Sequence, residues 1–138
     1  MKLPLDHIGI AVPNIDDAIK EYQSKFGFVV DSREKLSSQQ VEVCFLALAN
    51  TKIELLAPLS PNSKLQKFLD SRGPGLHHLC YQVSDIKAEL ARLKSEGLKL
   101  IDEVPRPGAH HTQIAFIHPG SCGGVLTELC QYAISPKG

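Results

Sequence analysis

No run of apolar residues in this chain approaches the roughly 20 needed to cross a bilayer as a helix. The opening stretch MKLPLDHIGIAV lacks the charged-then-apolar profile and small-residue cleavage site of a secretory signal, so the expected location is the cytoplasm. There is no excess of charge, since 15 lysines and arginines balance 15 acids, and that speaks against a protein built to grip nucleic acid or an anionic membrane. No glycine-rich loop follows a strand and opens a helix, so a nucleotide would not be held as in a dinucleotide fold. The four cysteines, Cys44, Cys80, Cys122 and Cys130, form no C-x-x-C pair. Cys44, Cys80 and Cys130 sit in apolar runs and read as buried thiols rather than disulfide partners or zinc thiolates.

What the chain does have is a repeat. Its 138 residues, 43% hydrophobic and 22% charged, suit one compact domain with a core. The segment LDHIGIAVPNIDDAIKEYQSKFGF from Leu5 aligns without a gap on LHHLCYQVSDIKAELARLKSEGLK from Leu76, an offset of 71 residues. His7 meets His78, Val12 meets Val83, Ile15 meets Ile86, and Ile19 meets Leu90. Each segment reads as an apolar strand followed by an amphipathic helix. Asn14 with Asp17, and Ser84 with Asp85, are helix start signals; Gly27 and Gly97 mark the ends.

Strand-like runs follow each helix: 28–33, 41–49 and 52–58 in the first half, 99–103, 112–118 and 124–132 in the second. Asn50-Thr51 is expected to close one hairpin as a two-residue turn, and residues 121–124 its counterpart. The pattern predicts an α+β domain of tandem βαβββ modules: module one at about residues 3–60, a linker helix (about 63–71) and turn to about residue 75, and module two at about 76–134. At about 70 residues neither half buries its sheet alone, so the two are expected to form a single domain over residues 1–138.

The duplication carries a second pattern. His7 and His78 occupy equivalent places on the first strands, and Glu54 and Glu128 lie on the last strands of their halves, in KIELLAP and GVLTELCQY. An ionised glutamate in an apolar strand is costly unless paired or bound to a metal. Singly, such a histidine is more often structural, and such a glutamate more often faces solvent. Two of each, repeated, call for a common partner, and a divalent cation supplies it. Two nitrogen and two oxygen donors suit Zn, Co, Ni, Mn or ferrous iron better than Cu(I) or Ca. His77 competes with His78, but strand alternation sends it to the opposite face. His110 and His111 follow the loop Arg106-Pro107-Gly108-Ala109 and border a pocket; His118 before Pro119 reads as a strand end. The plainer alternative is a duplicated domain with no site between its halves.

The runs LDHIGIAV, NTKIELLAPL, RGPGLHHLCYQV, RPGAH, IAFIHP and GGVLTELCQY resemble the methylmalonyl-CoA epimerase family of the vicinal oxygen chelate superfamily. The resemblance runs from Leu5 to about Tyr132. It implies a cupped, incomplete mixed β-barrel of paired modules, a homodimer, and one divalent ion (Co, Zn, Mn or Ni) held by His7, Glu54, His78 and Glu128. It also implies interconversion of (R)- and (S)-methylmalonyl-CoA through an enolate that the metal stabilises.

Inversion needs an acid/base on each face of the reacting carbon, or one mobile group. Glu128 is the implied catalytic residue for one face, doubling as ligand. A second catalytic glutamate of some family members aligns on Val43; the neighbouring Glu42 is out of phase by strand alternation and serves only if a bulge near Gln39-Gln40 re-aims it. A water, His110 or His111 is the remaining choice. For the acyl-CoA, His110, His111 and Arg106 are candidate substrate-binding residues, with Lys35, Lys64 and Arg72 as further phosphate candidates. Two rivals stand beside this reading: lactoylglutathione lyase (glyoxalase I), which fits Glu54 at least as well, and a small-molecule binding or resistance protein on the same scaffold. A ring-cleaving dioxygenase would need two histidines, one carboxylate and open positions for oxygen.

Overall fold

A computed structural model describes residues 2–133. The chain divides into two compact units, residues 7–77 in one and residues 78–133 together with residues 2–6 in the other.

In the first unit, strand β1 (Leu5–Ala11) leads into helix α1 (Ile15–Phe26). The Asn14 side chain accepts the Asp17 N–H at 3.0 Å, closing the N-terminus; Gly27, at φ 68°, donates its N–H to Gln23 and ends the helix where a side chain would be strained. The stripe of Ile15, Ala18, Ile19 and Tyr22 packs on Cys44, Leu46, Ile53 and Leu55. These last four come from β3 (Val41–Ala47) and β4 (Lys52–Pro58), which run antiparallel, with β2 (Val29–Leu36) beyond β3 and β1 parallel to β4. Helix α2 (Lys64–Arg72), capped by Ser63, follows as expected.

Two details differ from expectation. The β3–β4 connection spans four residues, with the Leu48 N–H on the Thr51 carbonyl, so Glu54 faces Phe45 and not Ala47. Phe45 and Ala47 lie two positions apart, so the face on which Glu54 stands is unchanged. Strand β2 runs three residues further than Arg33, and its register shifts between Val30 and Ser32, leaving Asp31 as an extra residue.

The second unit repeats the plan with β5 (Gly75–Gln82), α3 (Ile86–Ser95), β6 (Arg106–Pro107), β7 (Thr112–Ile117) and β8 (Thr127–Tyr132). Strand β5 pairs parallel with β8, and β7 joins β8 to β6 antiparallel. Asp85 caps α3, and the Ile86 N–H is held by the Gln131 side chain at 2.8 Å. Ile86 and Leu90 pack on Ala115, Ile117 and Leu129.

The strand expected at 99–103 does not form. Only Leu100 bridges to Ile117, and the Asp102 carboxylate accepts the Phe116 N–H at 2.9 Å, taking a donor that a ladder would use. Pro105 and Pro107 have no N–H to offer, so pairing shrinks to the two residues of β6. Between β7 and β8 a 3-10 turn, Pro119–Ser121, is capped by His118 Nδ1, so the connection is longer than a hairpin over 121–124. Residues 4 and 6 belong here: the Gln82 N–H donates to Pro4, and the Tyr132 hydroxyl to Asp6 at 2.6 Å. The expected end of module two, near residue 134, lies outside the described residues.

Candidate functional site

In the first unit β1 and β4 are parallel neighbours, with His7 beside Lys52 and Gly9 beside Glu54. His7 Nε2 lies 3.3 Å from Glu54 Oε1, and both residues are about 95% buried. Phe45, opposite Glu54 on β3, meets the His7 ring edge-on at 5.4 Å, and Lys52 Nζ lies 5.3 Å from the centre of the Phe45 ring.

The second unit repeats this arrangement. His78 Nε2 lies 3.1 Å from Glu128 Oε1, again with both residues buried. Phe116, opposite Glu128 on β7, meets the His78 ring edge-on at 5.6 Å, and the Arg106 guanidinium lies over Phe116 at 5.8 Å. Phe45 and Phe116 carry the same 71-residue offset as His7 and His78, a signal present in the sequence but readable only after strand pairing places each ring against its glutamate. Each phenylalanine blocks one side of its imidazole and fixes the ring plane.

A neutral imidazole nitrogen and a carboxylate oxygen this close present lone pairs to each other, and a buried carboxylate costs several kcal/mol if uncompensated. A proton on the histidine or a cation shared by both groups relieves that cost. By donor type, burial and pairing, each His–Glu couple fits half of a divalent-metal ligand set, with donors of the kind that suits zinc or cobalt.

Residues 6–116 match the family described as Glyoxalase/Bleomycin resistance protein/Dioxygenase superfamily. An ethylmalonyl-CoA/methylmalonyl-CoA epimerase of Cereibacter sphaeroides is 40% identical over 92% of this chain and 96% of its own. The crystal structure of methylmalonyl-CoA epimerase from Mycobacterium tuberculosis is 41% identical, covers 95% of this chain and 89% of its own, and superposes with a TM-score of 0.90. A methylmalonyl-CoA epimerase solved in complex with methylmalonyl-CoA and NH4+ is 32% identical over 96% of both chains, with a TM-score of 0.91. The chain belongs to the methylmalonyl-CoA epimerase family. It has that family's α+β fold, and the βαβββ plan of each half is the one expected.

The other candidate residues fall in several places on this epimerase. Glu42 stands on the face of β3 opposite Glu54, beside Cys44 and Leu46 on the helix-covered side, and is bound to Arg33 Nε at 2.8 Å. No bulge re-aims it toward Glu54, because the register shift falls in β2. Arg33 also binds Asp16 on α1 at 2.7 Å, holding that carboxyl below its usual range. His110 and His111 form a strained 3-10 turn, Ala109–His111, with φ of 57° and 58°; His111 is exposed and His110 partly so. Gly108 before them is required, since a Cβ there would lie 2.6 Å from Ile114 and 2.7 Å from Thr112. Arg106 is on the Phe116 and Glu128 side of the second unit, its Nε 3.1 Å from Asp102. His77 turns to α2, meeting Phe68 at 4.7 Å; Arg72 lies over that same Phe68 ring. Lys35 stands across from Glu42, and Lys64 opens α2.

Cys44, Cys80 and Cys130 are buried free thiols, as expected, and Cys122 is partly exposed. Asp6, Cys80 and Cys130 gather in the second unit, where burial pushes the Cys80 thiol far up.

Proposed function

We propose that this epimerase interconverts (R)- and (S)-methylmalonyl-CoA, with His7, Glu54, His78 and Glu128 holding one divalent metal ion in common. The observation that carries the reading is the buried His–Glu couple, made twice, with Phe45 packed against His7 and Phe116 against His78. An ion held by these groups would supply Lewis-acid polarisation of the thioester carbonyl. Glu128 moves the α-proton on one face of the reacting carbon. Arg106, over Phe116 on the Glu128 side of its unit, takes an anionic group of the substrate, a carboxylate or a CoA phosphate. His110 and His111, on their strained turn, line its approach.

Zn and Co fit the donors, and Mn and Ni remain alternatives. No helix among the described residues is long and apolar enough to cross a membrane. The reading carries with it an acyl-CoA as partner, a homodimer, and a cytoplasmic location.

Protein prepared without chelators should contain one divalent ion per chain by elemental analysis and should equilibrate a single epimer of methylmalonyl-CoA. Glu54→Gln should lower metal retention and turnover together. Rapid turnover of the methylglyoxal–glutathione adduct, with none of methylmalonyl-CoA, would reverse the assignment toward lactoylglutathione lyase. Metal-free protein that binds an acyl-CoA without exchanging its α-proton would make it a binding protein.

A further inference from the structure

An arginine that binds an anionic ligand gains from being held still beforehand, because its long side chain has much rotational freedom to lose. Arg106 is held at three points, all within the second unit. Its backbone pairs with Ile114 at the β6–β7 edge, which puts its side chain on the face of Ile114 and Phe116, and so on the face of Glu128. The Phe116 ring supports the guanidinium at 5.8 Å. The third point is Asp102, whose Oδ1 lies 3.1 Å from Arg106 Nε.

Asp102 is itself fixed, and Phe116 fixes it. The Asp102 N–H donates to the Phe116 carbonyl at 3.1 Å, and Asp102 Oδ2 accepts the Phe116 N–H at 2.9 Å. The Ile101 N–H donates to the same carbonyl, and Leu100 bridges to Ile117. One carboxylate therefore ties the strand that carries Phe116 to the arginine that lies over the Phe116 ring. The side chain that interrupts the strand expected at 99–103 is the one that holds Arg106.

A staple for the fold is the plainer role, and the geometry speaks against it. An ion pair to an arginine side chain that is 35% exposed adds little stability. The Nε contact is also poorly aligned, since that nitrogen is shut off from water and yet has no hydrogen bond of good geometry. What the carboxylate supplies is charge and direction. It takes the Nε side of the guanidinium and leaves the two Nη groups, which grip a carboxylate or phosphate end-on. Among the described residues no other acid pairs with Arg106.

We propose that Asp102 is a positioning residue for substrate binding, holding Arg106 so that its Nη groups meet an anionic group of the acyl-CoA on the face that carries Glu128. The role rests on the epimerase reading. The anion is the acyl carboxylate or a CoA phosphate, which present the same chemistry to a guanidinium.

The test uses the metal-loaded full chain. Epimerisation gives KM and kcat. Calorimetry gives the affinities of malonyl-CoA, which carries the acyl carboxylate, and of propionyl-CoA, which lacks it. Asp102→Asn keeps an oxygen for the Phe116 N–H and sets an NH2 group against Arg106. It should raise KM about 10-fold, the scale of one charge-assisted contact weakened, with kcat within about threefold of wild type. Thermal midpoint and metal content should stay as in wild type. Asp102→Glu, which keeps the charge, should recover part of the affinity. In an Arg106→Lys background Asp102→Asn should add little, because both changes remove the same grip. Weaker malonyl-CoA binding with propionyl-CoA unchanged would put the acyl carboxylate on Arg106, and equal weakening of both would put a phosphate there; each supports the proposal. Wild-type KM and affinities in Asp102→Asn, with or without a lower midpoint, would overturn it. So would a rise in KM that is just as large in the Arg106→Lys background. Wild-type protein unable to epimerise methylmalonyl-CoA would bring down the underlying reading as well, and that failure is seen before any substitution is made.

Discussion

A glutamate set among leucines on a buried strand must have a reason to be there, and the two that this chain carries have the same one. Glu54 and Glu128 are each within 3.3 Å of an imidazole that a phenylalanine edge holds in place. Tyr132 shows a different solution for a buried acid: its hydroxyl donates to Asp6 at 2.6 Å, and burial together with that carboxylate raises the phenol well above its ordinary range. A raised folded-state pKa means the fold favours the neutral phenol. The stabilisation is then complete below the ordinary phenol pKa of about 10 and fades as pH rises beyond it. Urea unfolding at neutral pH should find Tyr132→Phe less stable by about 1–3 kcal/mol, the usual effect of a hydrogen bond lost beside a buried polar group. Repeated above pH 10, the gap should narrow. A gap that stays constant across the series would mean the phenol titrates alike in the folded and unfolded states, so that the fold does not raise it.

At the level of elements, caps and stripes were legible and register was not. Asn14, Asp85 and Gly27 do what their positions announce, because a helix end is decided within four residues of chain. The four proposed ligands stood out for a similar reason, as ionisable groups inside apolar runs. Strand β2 reaches Leu36, three residues past its expected end, and nothing local marks Asp31 as the extra residue at its register shift. The strand expected at 99–103 failed because an aspartate side chain occupied a ladder position, a contact made across 14 residues of sequence.

Two substitutions probe the elements directly. Gly108→Ala places a methyl group 2.6 Å from Ile114 and should cost about 1–3 kcal/mol, the range for overpacking, with a matching fall in thermal midpoint. Asn14→Ala should cost about 1 kcal/mol by removing the cap of α1 and leave metal content alone.

For the whole molecule, the proposed ion links stability to metal. A ligand present at 100 times its dissociation constant stabilises the native state by about 2.7 kcal/mol. For a chain of this size that corresponds to a shift of about 10 °C. Thermal unfolding with and without a chelator should show that difference, and it should vanish in a His7→Ala, His78→Ala double variant. An unchanged midpoint, with no metal in the purified protein, would remove the ion from this account.

Residues 2–6 fold with residues 78–133 rather than with the helix they lead into. The seam of the duplication and the seam of the folded units are therefore different cuts through the same polypeptide. A gene severed at Leu76 would deliver a C-terminal fragment missing the carbonyl of Pro4 and the carboxylate of Asp6, and an N-terminal fragment bearing both to no purpose. A C-terminal fragment beginning at Leu76 should therefore gain stability, read as a higher thermal midpoint, when residues 2–6 are supplied to it as a peptide.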